Sequence, residues 1–278
     1  MNTKYIFLDI DGTLVGYDSK MPESALAALK LAKAKGHKVI IASGRSRSII
    51  YPDLLAAVDF DGIIASGGAC VVCNGEVIFR STITGKTFED IVAYFRREGI
   101  RFIVQSSNAS YGEPDFRTVM IPAMIKSGFS EELIKKSFSD VITVDNILSV
   151  PDVEKFSYYL SPLSPKQISD DNDGKFYVTD FSVGKAAEDS GLYFGEMNMA
   201  NVNKATAIER FMAHVGAPVS DSIAFGDSGN DLEMMKFAGF SVAMGNAGES
   251  TRAAAKFMTD DNDHDGAARA IERFILKK

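Results

Sequence analysis

Short apolar strands alternate with helices near both ends of this 278-residue chain, and this alternation restricts the possible folds more than any other feature. A helix is predicted from Pro22, a residue favoured in a first helical turn, to Lys35, just before Gly36. Short apolar strands separated by helices are typical of parallel sheets with helices on both faces. The early strands of this kind are predicted at residues 5–8, 38–42 and 62–65.

The alternation stops in the middle of the chain and then resumes. Residues 81–192 form a mixed block that is richer in predicted strands and is large enough for a domain. From Lys204 onward, helices and strands alternate again. We therefore predict an α/β protein: a Rossmann-like parallel-sheet core with helices on both faces, formed by residues 1–80 and 193–278, and an inserted α+β domain formed by residues 81–192.

Charge, hydropathy and cysteine content exclude several classes of protein. The 37 acidic and 30 basic side chains give a net charge of −7, whereas general nucleic-acid binding needs a basic surface. No apolar run approaches the ~20 residues that cross a bilayer, and the first residues enter a strand rather than a signal peptide. We therefore expect a cytoplasmic protein with neither nucleic acid nor membrane as partner.

Cys70 and Cys73 lie on one predicted strand with side chains on opposite faces, so we expect structural cysteines.

Two carboxylates follow the first apolar strand directly. Asp9 and Asp11 are two residues apart, so in extended chain their side chains point to the same side. Such a pair can share a metal ion, and one carboxylate can attack as a nucleophile while the other moves a proton. An ordinary Asp-Gly turn with Thr13 as a cap explains the same residues. This segment alone leaves both interpretations open.

Polar residues also follow the second strand and open a later helix. Ser43, Gly44 and Arg45 place a hydroxyl and tight-turn amides at a strand end, an arrangement that binds anions, although a helix cap also explains Ser43. Lys204 stands at a predicted helix start, where a cation is unfavourable against the helix dipole unless an anion compensates, although a solvated surface lysine also explains this residue taken alone.

A second acidic turn follows a strand near the end of the chain. Asp227 and Asp231 lie in a glycine-bearing turn together with Asn230. Four aspartates at two strand ends would repel one another unless a divalent cation joined them, and carboxylate oxygens suit Mg²⁺.

Together these segments resemble the motifs of the haloacid dehalogenase-like (HAD) hydrolases. Their order, their spacing and the inserted block are similar to the Cof-type phosphatases, whose larger α/β cap lies between the second and third motifs. The resemblance implies a Mg²⁺-dependent phosphatase of small phosphorylated metabolites, such as sugar phosphates or similar phosphomonoesters. The matching segments are Asp9-Ile10-Asp11-Gly12-Thr13, Ser43-Gly44-Arg45, Lys204 and Gly226-Asp227-Ser228-Gly229-Asn230-Asp231.

The resemblance also implies a role for each residue. Asp9 would attack phosphorus and carry the aspartyl-phosphate, and Asp11 would protonate the leaving alcohol and then activate water. Arg45 is our candidate for contact with the leaving group. The phosphate-binding residues would be Ser43, Gly44, Lys204 and Asn230. Mg²⁺ would be held by Asp9, Asp11 (through its backbone carbonyl), Asp227 and Asp231.

Two alternative functions remain open at this point. A phosphomutase would use the same nucleophile but return the phosphoryl group to a substrate, and product analysis separates it from a phosphatase. A phosphometabolite-binding sensor would bind without turnover, which the presence of Asp9, Asp11, Lys204 and Asp227 disfavours.

Two segments depart from the expected patterns. Gly67 stands where related sequences commonly carry asparagine, which removes a polar contact near the substrate. Residues 261–272 fit the spacing of an EF-hand loop, but an EF-hand also needs a following helix whose first turn lies inside the loop and a second hand for pairing, and the context of this segment does not agree. We expect a turn and a helix cap there rather than a calcium site.

Overall fold

The structure is a computed structural model that describes residues 2–16, 20–128, 130–181 and 191–277. The chain divides into two compact units. The first, called the core unit here, consists of Met1–Arg45, Ile49–Arg80 and Val202–Lys278. The second, called the inserted unit, consists of Ser46–Ser48 and Ser81–Asn201.

The helices and strands follow the predicted alternation closely. The first core segment contains β1 (Tyr5–Leu8), α1 (Glu23–Ala34), β2 (Lys38–Ala42), α2 (Pro52–Ala57), β3 (Gly62–Ala65), β4 (Cys70–Cys73) and β5 (Glu76–Arg80). The inserted unit contains α3 (Gly85–Arg97), β6 (Arg101–Ser106), β7 (Ser110–Gly112), α4 (Ile121–Lys126), α5 (Glu131–Ser137), β8 (Ile142–Thr143), β9 (Val153–Ser161), α6 (Pro165–Asp171), β10 (Phe176–Asp180) and β11 (Tyr193–Met199). The second core segment contains α7 (Lys204–His214), β12 (Ser222–Gly226), α8 (Leu232–Phe237), β13 (Phe240–Ala243), α9 (Glu249–Ala254), β14 (Phe257–Met258) and α10 (Gly266–Ile271).

The core unit is built on one sheet with the strand order β14-β13-β12-β1-β2-β3-β4-β5. The pairs from β14 to β3 are parallel, and β4 and β5 add an antiparallel hairpin at one edge. In the centre, Leu8 of β1 is level with Phe225 of β12 and with Ile41 of β2. The residues that follow these three strands therefore emerge side by side at the carboxyl edge of the sheet.

Helices cover both faces of the core sheet, as the apolar runs predict. Ile6 and Leu8 pack into a cluster with residues of α1 and α10. Phe7, between them, points to the opposite face and packs with residues of α7 and α8. The period-two alternation of a strand explains this division, because neighbouring side chains leave the sheet on opposite sides. The predicted Rossmann-like α/β class is confirmed.

The inserted unit has its own mixed sheet and apolar core. Its strand order is β10-β11-β9-β6-β7-β8, and only β7 and β8 run parallel among the paired strands of its described residues. Residues of α3 and α6 pack on this sheet. One predicted boundary differs: the second core segment was predicted to begin at residue 193, but Tyr193–Met199 pairs with β9 and β10. The compact division therefore falls after Asn201.

Smaller sequence predictions can also be compared with the structure. Cys70 and Cys73 are buried, and they pack into clusters on opposite faces of the sheet, as predicted. The tight turn after Cys73 has Asn74 and Gly75 at positive φ (48° and 86°), which the Asn-Gly pair predicts. Among the described residues, no helix has both the length and the apolar character that crossing a membrane requires.

Candidate active site

The backbone brings the site residues together by extending the strand ladder one residue beyond the strand ends. The Asp9 amide donates to the Phe225 carbonyl (3.0 Å), and the Ser43 amide donates to the Ile64 carbonyl (2.8 Å). Asp9, Ser43 and the turn after β12 therefore occupy neighbouring positions at one edge of the sheet. Each of these segments was singled out in the sequence because polar residues follow a predicted strand there.

Lys204 lies at the start of α7 with its ammonium group between two carboxylates. Its Nζ is 2.6 Å from Asp9 Oδ1 and 2.6 Å from Asp231 Oδ1, and all three side chains are buried. A cation in a first helical turn opposes the helix dipole, and these two carboxylates supply the compensating charge. Burial disfavours the charge of Lys204, but Asp231 and Asp9 outweigh it and raise the pKa of Lys204.

Two local features place Lys204 there. The Asn203 side chain accepts a hydrogen bond from the Thr206 amide (3.0 Å), and Thr206 Oγ1 accepts one from the Asn203 amide (3.2 Å), which caps α7. Gly68 has a φ of +111°, and a Cβ atom on it would lie 2.3 Å from the Asn203 carbonyl oxygen. Only glycine permits this close approach of the turn after β3 to the start of α7.

Asp9 and Asp227 are carboxylates whose ionised form the fold disfavours. Burial raises the pKa of Asp9 well above its usual range, and the charge of Lys204 only partly offsets this effect. Burial and the charge of Asp231 raise the pKa of Asp227 to about 7. Buried acidic groups with raised pKa values are typical of sites that bind cations or transfer protons.

The loop after β1 contacts Asp227 closely. Thr13 Oγ1 donates to Asp227 Oδ1 (2.9 Å). Gly12 has a φ of +82°, and a Cβ atom on it would lie 2.3 Å from Asp227 Oδ2. The glycine after Asp11 therefore allows the loop to turn and leaves room for the Asp227 carboxylate.

Asp9, Asp227 and Asp231 are the one group in the described part of the chain whose carboxylate oxygens gather closely enough to hold a metal ion. One oxygen of each lies within 4.8 Å of the other two. Asp231 is also held by protein donors, since its Oδ2 accepts from the amides of Asp227 and Ser228 (2.9 Å each). The donor set, three carboxylate groups close together, fits a hard divalent cation.

The second predicted motif, Ser43-Gly44-Arg45, is partly buried. Ser43 is buried, and its Oγ accepts a hydrogen bond from the Arg45 amide (3.1 Å), which is the local cap that sequence reasoning left open. Gly44 is half-buried in the same turn. The Arg45 guanidinium forms a bidentate pair with Asp11, with Nε 2.7 Å from Oδ2 and Nη2 2.9 Å from Oδ1. Burial alone would lower the pKa of Arg45, but hydrogen bonding and charge attraction to Asp11, together with the charges of Tyr51 and Asp9, raise it.

Asn230 and Gly67 lie on turns that adjoin the site residues. Asn230 belongs to the short 3-10 turn Gly229–Asp231, and its Oδ1 accepts from Ser228 Oγ (2.9 Å). Gly67 follows β3 with a φ of 64° and a ψ of 19°. Asparagine and glycine are the residues that adopt this left-handed conformation most readily. The substitution at position 67 therefore keeps the backbone requirement while it removes the polar side chain.

Two asparagines that sequence reasoning missed also contact the site. Asn246 Nδ2 donates to the Gly12 carbonyl (2.9 Å) and approaches Asp227 Oδ2 (3.3 Å). Asn262 Nδ2 donates to the Thr13 carbonyl (2.8 Å). Asn246 follows β13 by three residues and Asn262 follows β14 by four, so their position after a strand end was the one signal that could have identified them.

The segment resembling an EF-hand forms a turn and cap, as expected. Asp261 accepts a hydrogen bond from the His264 amide (2.9 Å), and Arg269 pairs with Asp260 (2.7 Å). Asn262 turns inward to support the loop after β1.

Comparisons with known proteins agree with this geometry. A family model described as haloacid dehalogenase-like hydrolase matches residues 6–271. The 5-amino-6-(5-phospho-D-ribitylamino)uracil phosphatase YbjI of Escherichia coli (strain K12) is 26% identical over 286 residues, which cover 99% of this chain and 97% of YbjI.

Two solved structures have the same fold. The HAD subclass IIB sugar phosphatase BT4131 superimposes with a TM-score of 0.79 and 26% identity, and the match covers 98% of this chain and 99% of that one. The HAD phosphatase BT1666 from Bacteroides thetaiotaomicron superimposes with a TM-score of 0.76 and 26% identity, covering 98% and 95% of the two chains. The match over nearly the whole length, together with the strand-end motifs, places this chain in the haloacid dehalogenase-like hydrolase family, within its Cof-type branch.

Proposed function

We propose that this protein is a Mg²⁺-dependent phosphatase that hydrolyses small phosphorylated metabolites through an aspartyl-phosphate on Asp9. The observation that carries the proposal is the buried cluster in which Lys204 Nζ lies 2.6 Å from both Asp9 and Asp231. The names of two similar proteins support the same conclusion. BT4131 is named as a sugar phosphatase, and YbjI is named as a phosphatase of a phosphorylated ribitylamino compound.

The proposed reaction has two displacement steps at phosphorus. A carboxylate oxygen of Asp9 attacks phosphorus while the bond to the leaving oxygen breaks, and Asp11 gives that oxygen a proton. Asp11 then takes a proton from water as the water oxygen attacks phosphorus, and the bond between phosphorus and Asp9 breaks. Water is consumed, and inorganic phosphate and an alcohol are released. The Asp9 carboxylate is regenerated and can begin another cycle.

The arrangement of Asp9 suits attack by one of its two oxygens. Oδ1 accepts a hydrogen bond from Lys204 (2.6 Å), and no hydrogen bond within the described residues engages Oδ2. Lys204 orients the carboxylate and supplies positive charge beside the position of the phosphoryl oxygens. Phosphoryl transfer depends mainly on such positioning and charge stabilisation.

Mg²⁺ is the cofactor that we propose for the acidic cluster. The ion would be held by the carboxylates of Asp9, Asp227 and Asp231 and by the backbone carbonyl of Asp11. The phosphate would receive further polar contacts from Ser43, Gly44 and Asn230. When bound, the ion supplies positive charge that offsets the carboxylates and stabilises the charge on the transferring group.

Phosphate release from a panel of sugar phosphates, nucleotides and vitamin phosphates tests the proposed function. We expect release that requires Mg²⁺ and stops with EDTA, and the fastest substrate will identify the metabolite class. Product analysis should show the free alcohol and inorganic phosphate in equal amounts. An isomerised sugar phosphate without net phosphate release would instead identify a phosphomutase, and tight binding without turnover would identify a sensor.

Binding of Mg²⁺ is expected to strengthen as the pH rises through about 7. The folded-state pKa of Asp227 is raised from 3.8 to about 7, so in metal-free protein the carboxyl holds a proton that Mg²⁺ must displace. Because the pKa of Asp227 is higher in the folded than in the unfolded chain, its protonated carboxyl adds to the free energy of unfolding of the metal-free protein at low pH. This contribution is lost as the pH rises through about 7. Below that pH, the apparent Mg²⁺ affinity should fall by up to ~10-fold per pH unit for one displaced proton.

Titration of Mg²⁺ at several pH values, followed by the change in melting temperature, measures this effect. The Asp227→Asn variant serves as the comparison, because it cannot release a proton at this position. We expect weaker binding and a flatter pH profile in the variant. An Mg²⁺ affinity that is independent of pH in the wild-type protein would contradict the prediction.

A further inference from the structure

Among the described residues, two side chains donate hydrogen bonds to the Asp11 carboxylate, and only one of them belongs to a predicted motif. Arg45 donates from Nε to Oδ2 (2.7 Å) and from Nη2 to Oδ1 (2.9 Å). Tyr51 donates its hydroxyl to Oδ1 (3.1 Å). The Tyr51 oxygen also accepts from Arg45 Nη2 (2.5 Å), so the three side chains form a closed triangle within the core unit.

Tyr51 contacts the apolar core as well as the two charged residues. It precedes Pro52, the first residue of α2, and its ring packs against the apolar cluster on the α1 face of the sheet. The Arg45 guanidinium carbon lies 4.2 Å from the centroid of this ring, within the range of a cation–π contact. The third guanidinium nitrogen of Arg45, Nη1, donates to the Ile49 carbonyl (3.2 Å). Tyr51 therefore supports Arg45 with its ring and contacts Asp11 with its hydroxyl.

Asp11 needs this support because burial does not hold it. Its side chain is 49% exposed, whereas that of Asp9 is 7% exposed. An exposed aspartate exchanges between side-chain rotamers unless its partners select one. A general acid must lie within hydrogen-bond reach of the oxygen that it protonates.

We propose that Tyr51 is a positioning residue that, together with Arg45, orients the Asp11 carboxylate for proton transfer to the leaving group. This inference rests on the proposed function, in which Asp11 is the general acid. Tyr51 acts through Asp11 and through Arg45 and has no role in the attack by Asp9. Its removal should therefore affect the reaction only where the leaving oxygen needs a proton.

Two kinds of substrate separate this role from a general structural one. The ratio kcat/KM reports the steps up to release of the leaving group, which ends the first displacement. A sugar alkoxide needs a proton to leave, whereas p-nitrophenolate leaves without one because its charge is delocalised over the ring. In Tyr51→Phe, which keeps the ring and removes the hydroxyl, we expect kcat/KM to fall ~10-fold for the sugar phosphate and less than ~2-fold for p-nitrophenyl phosphate.

For the sugar phosphate, the experiment uses whichever of ribose, glucose, fructose and mannose phosphates the wild-type protein hydrolyses fastest. Tyr5→Phe is the matched control, since Tyr5 also lies in the core unit and packs its ring against Phe211. We expect unchanged kcat/KM for both substrates in this control. Equal losses for both substrates in Tyr51→Phe, or no loss for either, would overturn the proposal.

A double-variant cycle tests whether Tyr51 and Arg45 act on the same carboxylate. Lysine at position 45 keeps the charge but cannot form the bidentate pair. If both residues orient Asp11, the loss in Tyr51→Phe/Arg45→Lys is smaller than the product of the two single losses. Fully multiplicative losses would contradict a shared target. Failure of the proposed function is distinguishable, because phosphate release would then persist in Asp9→Asn or be missing from the wild-type protein.

Discussion

Replacement of Asp9 by asparagine is expected to reduce phosphate release by roughly 10⁴-fold or more, to a level near the background. An amide oxygen carries no negative charge for attack on phosphorus, and no aspartyl-phosphate can form. Phosphate release by the purified variant, measured with Mg²⁺ at saturating substrate, tests this result. Wild-type protein incubated with substrate and quenched in acid should retain labelled phosphoryl group, and the variant should retain none.

The loss in Asp9→Asn should not come from unfolding. The fold raises the pKa of Asp9 well above its usual range, so the ionised carboxylate at neutral pH is less stable in the folded than in the unfolded chain. Asparagine has nearly the same shape and removes this unfavourable charge, and Lys204 is not left unpaired because it keeps its contact with Asp231 (2.6 Å). We expect the free energy of unfolding of metal-free protein to be unchanged or slightly higher.

A surface aspartate provides the control for Asp9. The Asp59 side chain is 99% exposed and lies 3.7 Å from Lys33 Nζ. Asp59→Asn should leave phosphate release and the unfolding midpoint unchanged. Substantial phosphate release by purified Asp9→Asn would contradict the assignment of Asp9 as the nucleophile.

Replacement of Lys204 by methionine is expected to have the largest effect on stability. Lys204 is 1% exposed, and its ammonium group contacts both Asp9 and Asp231, which are also buried. Methionine retains much of the side-chain length but leaves two buried carboxylates without their cation. Loss of one partner from a buried ion pair costs about 3–5 kcal/mol. Phosphate release should be lost as well, because Asp9 loses the group that orients it.

Urea unfolding of metal-free protein measures the stability effect. The matched control is Lys236→Met, since Lys236 is 54% exposed and pairs with Glu233 at 3.1 Å on the surface of α8. We expect a change within ~0.5 kcal/mol in this control. A similar small change in Lys204→Met would show that the buried pair contributes little to folding. If Mg²⁺ binds the cluster as proposed, added Mg²⁺ should recover part of the stability lost in Lys204→Met.

The core elements could be predicted because their signals are local. Buried strands such as β1 and β2 are continuous apolar runs, and Pro22 and Gly36 mark the two ends of α1 without reference to the rest of the chain. The boundary of the inserted unit could not be predicted in the same way. Whether Tyr193–Met199 belongs to one sheet or the other depends on which strands it pairs with, and a strand sequence does not identify its partners.

The candidate site divides along the same line. Asp9, Ser43 and Asp227 follow strands whose parallel arrangement brings their ends together, so their proximity could be inferred from spacing. Tyr51 lies nine residues beyond the end of β2 and Asn246 three residues beyond the end of β13, and their contacts with Asp11 and Gly12 depend on the paths of those loops. Loop paths are determined by long-range packing that leaves no periodic pattern in the sequence.

The sequence by itself determined the α/β class of the core and the chemical groups at the carboxyl edge of its sheet. Both follow from interactions between near neighbours in the chain, namely apolar periodicity and turn chemistry. Only the tertiary structure decided which groups form pairs. Lys204 contacts Asp9 across 195 positions of the chain, and Arg45 contacts Asp11 across 34, because folding buries or closely packs these charges and each must then find a partner of opposite sign.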